Sequence, residues 1–456
     1  MRLRPGRLSL FALFGALAAC ADGGPTPDSE SGALSAQHED GSAYEVWLID
    51  QSPSPGKNYG GTLYIYQGSD VSGGSVSSAT PSDVVDLGGQ TNDVCWSSTG
   101  RNPNGAHMVL FNSTHSHAVV AFVFSGHVAI IDAQTRQTVA CFSTEIGAGG
   151  ARQAHAAFPT PDDQYVVVAN QNGKKLERIR TDYAAGVFTQ EPSATLDLAN
   201  CTTPSGAACQ AEGIRPDNAP ICPVPLQNGQ VVVTLRGGGM FVVDANATPM
   251  KIIAEYDRAN IAGNGCGGAV VQDRLFVNSG AGALATNPWQ FDLYAFPPVF
   301  PTTNAPNEPA PVLVDRDDGE RRDAHGMIPA RMSKGAAKAR YLWMADRGLG
   351  FMSIYDAKNL SLVDEFPMEE GQDTVVHLTP DLLASSPMGH RIFASMRGPA
   401  PLSGAHASAG TTPGLGVFRV TKNGAAGKLI GVVPISNIDA QGIERGDAHG
   451  VAVRVR

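Results

Sequence analysis

The sequence predicts an all-β chain folded as a single β-propeller of seven four-stranded blades, with the ring closed by pairing of the N- and C-terminal strands. Two observations carry this prediction. Short β-branched and aromatic runs recur between turn residues, and one strand–turn–strand unit repeats along the chain at intervals of roughly 40–60 residues. Composition agrees, because 456 residues hold 52 Gly and 31 Pro but only 17% charged side chains, as many short strands joined by tight turns require.

The runs fall at 45–49, 62–66, 118–124, 128–131, 165–169, 231–235, 240–243, 274–277 and 341–345. No long window places apolar residues at helical spacing, and 334–340, rich in Ala and Lys, reads as a loop or a single turn. Each repeat sets a strand of the type YVVVAN or YLWMAD before one of the type IYDA or VVDA, followed by an outer strand. Units are read at 107–144, 155–198, 214–256, 266–314, 325–366 and 377–434. Residues 44–87 supply most of a seventh, and 449–455 (HGVAVRV) is a leftover strand that would complete it.

The N-terminus reads as an export signal. Arg2, Arg4 and Arg7 precede an apolar stretch at 8–19, too short to span a bilayer as a helix but long enough for a signal-peptide core. Leu17-Ala18-Ala19-Cys20 matches a bacterial lipobox, so Cys20 is expected to carry lipid. The alternative is a secretory signal with an incidental Cys. The expected organisation is a lipoprotein signal peptide at 1–19, a flexible Pro/Gly-rich tether at 20–43 and the propeller at 44–456. That organisation places the protein in the bacterial cell envelope, periplasmic or on the cell surface, touching the membrane through its lipid alone.

Removing residues 1–19, with three Arg and no acid, leaves 30 basic against 43 acidic residues, a net charge of −13. This balance argues against a nucleic-acid partner, whose phosphates call for clustered cations. Six cysteines remain after Cys20: Cys95, Cys141, Cys201, Cys209, Cys222 and Cys266. An even number in an exported chain points to up to three disulfides, and Cys201 with Cys209 is the first pair expected.

The sequence contains no G-x-S-x-G elbow, H-E-x-x-H or phosphate-binding G-x-x-x-x-G-K-[ST]. Gly237-Gly238-Gly239 reads as a β-turn between strands, and the acidic run at 315–320 as a solvated loop. The informative residues are histidines. His117, His155, His325, His377 and His449 each stand at the expected start of a blade's first strand, which in a propeller lines the central channel. Equivalent positions in five blades would bring five imidazoles together, and neutral imidazole suits copper, zinc, iron or nickel.

Asp323-Ala-His325-Gly and Asp447-Ala-His449-Gly repeat one tetrapeptide, so each Asp could share a face with its His and orient or join the ligand set. His115 and His117 share a face in the same way, and His107 and His406 are further candidates. Glu212 and Arg215 enter the blade that lacks a leading His and could face the same channel. His38, His127 and His390 read as incidental. Taken singly, any one such His reads as a hydrogen-bonded structural residue; five in register favour a metal or an anionic ligand.

The strand pairs at 165–179 (YVVVANQNGKKLERI) and 341–366 (YLWMADRGLGFMSIYDAKNLSLVDEF), with the His placement, resemble the exported YVTN-type propellers. That group includes the propeller domains of nitrous-oxide reductase and thiocyanate dehydrogenase, and the resemblance spans roughly 44–456. It implies copper held by histidines around the ring axis, with zinc as the alternative ion. The Cys-x-x-x-Cys copper motif of a cupredoxin domain does not occur, so a full nitrous-oxide reductase is not expected. The expected function is a copper-dependent small-molecule oxidoreductase acting on a sulfur or nitrogen compound. A non-catalytic zinc or copper chaperone and a protein- or ligand-binding scaffold with structural histidines are the alternatives.

Overall fold

The computed structural model describes residues 43–73, 76–263, 265–280, 291–317, 322–330, 339–368, 377–402 and 409–456. The expected signal peptide, Cys20, the tether up to residue 42 and His406 lie outside the described residues.

Seven antiparallel sheets follow one another along the chain, each a blade. The first blade is made from both ends, in the order Ala448–Val455, Tyr44–Asp50, Thr62–Gln67, Asp83–Asp86. The closing pair runs in register from Tyr44 opposite Val455 to Ile49 opposite Gly450. The other blades begin on inner strands Ala106–Phe111, Ala154–Pro159, Pro220–Pro225, Gly268–Val271, Ala324–Ala330 and Pro380–Ser385. In the third blade the outer edge of Lys175–Asp182 is shared by two short strands, Val187–Gln190 and Leu196–Asp197.

The burial of each strand follows its place in the blade. Second strands such as Tyr165–Asn170 (YVVVAN) are covered on both faces by adjoining blades, so every residue is buried and the sequence runs apolar without alternation. Outer strands such as Ser361–Pro367 are covered poorly and carry charges. Between successive blades lie seven apolar clusters. Trp47, Leu63, Val120 and Ile131 share one between the first and second blades, and Tyr44, Phe393, Leu415 and Val451 one between the last and the first. An eighth cluster, with Met108, Ala156, Ile221, Cys222 and Cys266, sits where inner strands of several blades meet.

A ten-residue helix, Gln90–Thr99, is an element that periodicity does not predict. It buries only Thr91 and Cys95, so it carries no apolar stripe. The disulfide from Cys95 to Cys141 ties it to the outer strand of the second blade. Cys201 pairs with Cys209, as expected, and Cys222 with Cys266. Three disulfides mark an oxidising, extracytoplasmic environment. No helix among the described residues is long and apolar enough to cross a membrane.

Candidate functional site

The site is built by a recurring irregularity of the inner strands. In six blades the ladder between first and second strands slips near the beginning of the inner strand, leaving one or two residues unmatched. These are His449, His107, His155, Ile221 with Cys222, His325 with Gly326, and Asp381 with Leu382. A β-bulge turns its extra side chain out of the pleat, and here the bulged His and Asp side chains meet one another. In two blades a hydroxyl of the second strand satisfies the freed N–H: Thr234 Oγ1 accepts from Cys222 N at 3.3 Å, and Ser395 Oγ from Leu382 N at 3.1 Å.

Four imidazoles form a row. The His107 ring stacks on His449 with centroids 3.6 Å apart and lies 4.8 Å from His155, while His325 meets His449 edge-on at 5.5 Å. Asp381 closes one end. Its carboxylate touches His325 Nδ1, lies 3.4 Å from His449 Nε2, and accepts from Arg347 at 2.9 Å and Arg397 at 3.1 Å. Arg347 also donates to Asp323 at 2.9 Å, and Arg397 to both oxygens of Asp447. His325, His449 and Asp381 offer ligand atoms within 4.8 Å of one another.

Hydrogen-bond partners fix three tautomers. His449 Nδ1 donates to the His107 carbonyl at 3.0 Å and His155 Nδ1 to the Ile221 carbonyl at 3.0 Å, since a carbonyl can only accept. Gln51 gives its amide N–H to Asp447, so its oxygen accepts from His107 Nδ1 at 2.9 Å. Burial pushes His107 and His449 well below the usual histidine range, against the upward pull of the Asp381 carboxylate. Neighbouring imidazoles add to it at His107, and Arg397, His325 and Arg347 at His449, while burial takes His155 down to about 3. All three are therefore neutral, with the lone pair on Nε2. Nε2 of His107 is buried with no hydrogen-bond partner among the described residues. Burial opposes ionisation of Asp381, but the Arg347 guanidinium holds its carboxyl well below the usual carboxylate range. The lone pair of His449 Nε2 thus faces a carboxylate oxygen, two acceptors with no proton between them.

The sequence expectations divide on this geometry. His155, His325 and His449 do converge with one another. His117 does not: it begins the second strand of its blade, one pair beyond Ala118 opposite Phe111, and so lies at the far end of the blade from His107. Counting His117 as a first-strand residue misplaces the blade by one strand, and His107 takes the axial position. His377 precedes its inner strand by three residues, with its N–H bonded to Thr411 at 3.1 Å, and Asp381 occupies the bulge instead. His115, in the turn after the strand Ala106–Phe111, stacks on Phe111 and accepts from Val455 N, at the opposite end of that strand from His107. Arg215 is buried on Glu255 at 2.8 Å and Glu212 is exposed, so neither joins the row. Asp323 and Asp447 hold arginines rather than their own histidines. His127 is satisfied on both nitrogens by Thr99 and Ser125, each at 2.9 Å.

The sequence did carry signals for the residues missed. Ala precedes His107, His155, His325 and His449 but neither His117 nor His377. Arg347-Gly348 and Arg397-Gly398 each follow a second strand, as Arg236-Gly237 does, and Gln51 holds the same place in the first blade.

Beside Asp447 lies a second buried acid. Asp50 Oδ1 accepts from Asp447 N at 2.9 Å and Ser52 N at 3.0 Å, while Oδ2 has no partner among the described residues. Burial raises its pKa to about 6, against roughly 3.9 in an unfolded chain. The folded state therefore holds this proton more tightly, and the group's cost appears as pH rises from about 4 to 6 and is constant above, on the order of 3 kcal/mol. Asp50→Asn is expected to raise the melting temperature at pH 8 and not at pH 4. Thermal denaturation of both forms at the two pH values checks this, and an equal change at both would refute it.

No protein-family model matches the chain, and no curated protein matches it. The fold is similar to solved structures of low identity. One is a protein from Lactobacillus plantarum, with 10% identity and a TM-score of 0.53 over 90% of this chain and 99% of that one. Another is a functionally unknown protein from Desulfotomaculum acetoxidans, with 12% identity and a TM-score of 0.51 over the same shares. At such identities the likeness is one of fold alone: the chain shares its architecture with these bacterial proteins.

Proposed function

We propose that this chain is an exported, lipid-anchored propeller that holds one transition-metal ion on its axis, copper first, between His325, Asp381 and His449, with His107 as a further donor. The observation that carries the reading is the pair of acceptors, His449 Nε2 and Asp381 Oδ2, 3.4 Å apart in a buried site. A cation between them turns a repulsion into two bonds.

Imidazole and carboxylate donors without thiolate suit a divalent first-row ion, and among these affinity peaks at copper. Such an ion would supply Lewis acidity or one-electron chemistry. The chain's own part is to fix three imidazole tautomers, to neutralise Asp381 in part through its arginines, and to exclude water: His107, His325 and His449 are 6%, 4% and 2% exposed. Metal analysis of the full chain purified from the cell envelope is expected to find about one copper per chain. Metal-free protein that also takes up no copper, zinc or iron on titration would defeat the reading.

The closure of the donors favours a held or carried ion, while half-buried His155 offers a side from which a small sulfur or nitrogen substrate could approach. Turnover with such compounds by the copper-loaded protein separates oxidoreductase from carrier. Cys20→Ser is expected to move the protein from the membrane fraction to the soluble or unprocessed one; unchanged attachment on fractionation would remove the lipid anchor from this proposal.

A further inference from the structure

His155 stands at the other end of the imidazole row, and what it meets there is sulfur. A ring nitrogen of His155 and the Sγ atoms of Cys222 and Cys266 lie within 4.8 Å of one another. The two sulfurs are joined as a disulfide, and a disulfide offers a metal no thiolate. The same three atoms therefore have two chemical states: a closed disulfide beside an imidazole, and, once reduced, two thiols with an imidazole.

The surroundings favour a built site. Cys222 is in the bulge of its inner strand and Cys266 lies just before the strand Gly268–Val271 of the next blade, so each is attached to a strand of its own blade. The Ile221 carbonyl fixes the His155 tautomer, the arrangement by which outer groups orient a metal-binding imidazole.

We propose that reduction of the Cys222–Cys266 disulfide opens a second metal site, in which both thiolates and His155 bind one thiophilic d10 cation, Cu(I) or Zn(II). Reduction breaks the S–S bond with two electrons and two protons from a dithiol, which itself becomes a disulfide. Metal binding then releases the two thiol protons to water. Two sulfurs and one imidazole make three protein ligands and leave a fourth position. The site is distinct in donors from the axial one and stands or falls separately from it. The rings of His155 and His107, 4.8 Å apart, put the two in line.

The test uses the full chain and Co(II), whose thiolate complexes show a charge-transfer band that nitrogen and oxygen donors cannot give. Protein reduced with a phosphine, freed of reductant and titrated without oxygen is expected to show that band with one equivalent of Co(II); oxidised protein is expected to show none. The band should be absent from reduced Cys222→Ser/Cys266→Ser, which keeps the four cysteines of the other two disulfides, and the affinity should fall by about tenfold or more in reduced His155→Ala. The proposal is overturned if reduced wild type gives no band, if the double variant keeps it, or if His155→Ala binds Co(II) as tightly as wild type. Should the double variant not fold, the His155→Ala titration decides. Axial occupancy, read in oxidised protein by metal analysis, reports separately on the axial site.

Discussion

His449→Ala is expected to lower copper affinity by more than about 100-fold, exceeding the 10–100-fold typical of losing an outer-shell partner. Three consequences of the side chain's position add together. Its Nε2 is one of the two acceptors that a cation would join, its ring covers His107, and its Nδ1–H engages the His107 carbonyl. Gln51→Ala should cost less, about 10–100-fold, because Gln51 acts through the tautomer of His107. His117→Ala should change occupancy not at all, since His117 lies at the far end of its blade. Titration with a competing chelator, together with melting temperatures of the metal-free proteins, measures each. Full occupancy in a folded His449→Ala would move the metal away from the axis.

The largest loss of stability is expected from Arg397→Met. Arg397 is 1% exposed and bridges Asp381 to Asp447, both buried. Methionine fills comparable volume but leaves two carboxylates short of a cation. Removing one partner of a buried ion pair costs about 3–5 kcal/mol, chiefly because the stranded charge stays buried. Two measurements separate charge from packing. Adding Asp447→Asn should recover part of the loss, and the deficit should shrink as pH falls far enough to protonate the stranded carboxyl. Denaturant melts at neutral and acid pH check both; a deficit that is the same at each pH and untouched by the second substitution would assign it to packing.

The architecture was legible because it is written by repetition. Six near-copies of a two-strand phrase and one leftover strand leave few alternatives to a closed ring, and HGVAVRV at the C-terminus falls where the first blade lacks its inner strand. The site was only half legible, for a reason that lies in the bulges. A bulge changes where one side chain points without changing composition, and in the second blade the sequence pattern places His117, which begins the second strand, in the axial position that the bulged His107 of the first strand holds. Asp381 was missed because an axial search that follows histidine passes over a carboxylate in the equivalent position. Arg347 and Arg397 were missed because they come from the ends of second strands, which pattern alone assigns to packing.

The strand Ala448–Val455 closes the ring and carries His449, with Asp447 just before it. This has a consequence for timing. If the chain is exported as proposed, it emerges N-terminus first, so His107, His155, His325 and Asp381 would all leave the export channel while His449 is still behind them. An ion arriving then meets an unfinished donor set on a ring still open at one seam. His449 and the closing strand arrive in one event, so on the proposed reading capture of an ion would report that the seam has shut. A propeller that closed through a strand from mid-chain could carry the same donors, but loading would then no longer report that the ring is closed.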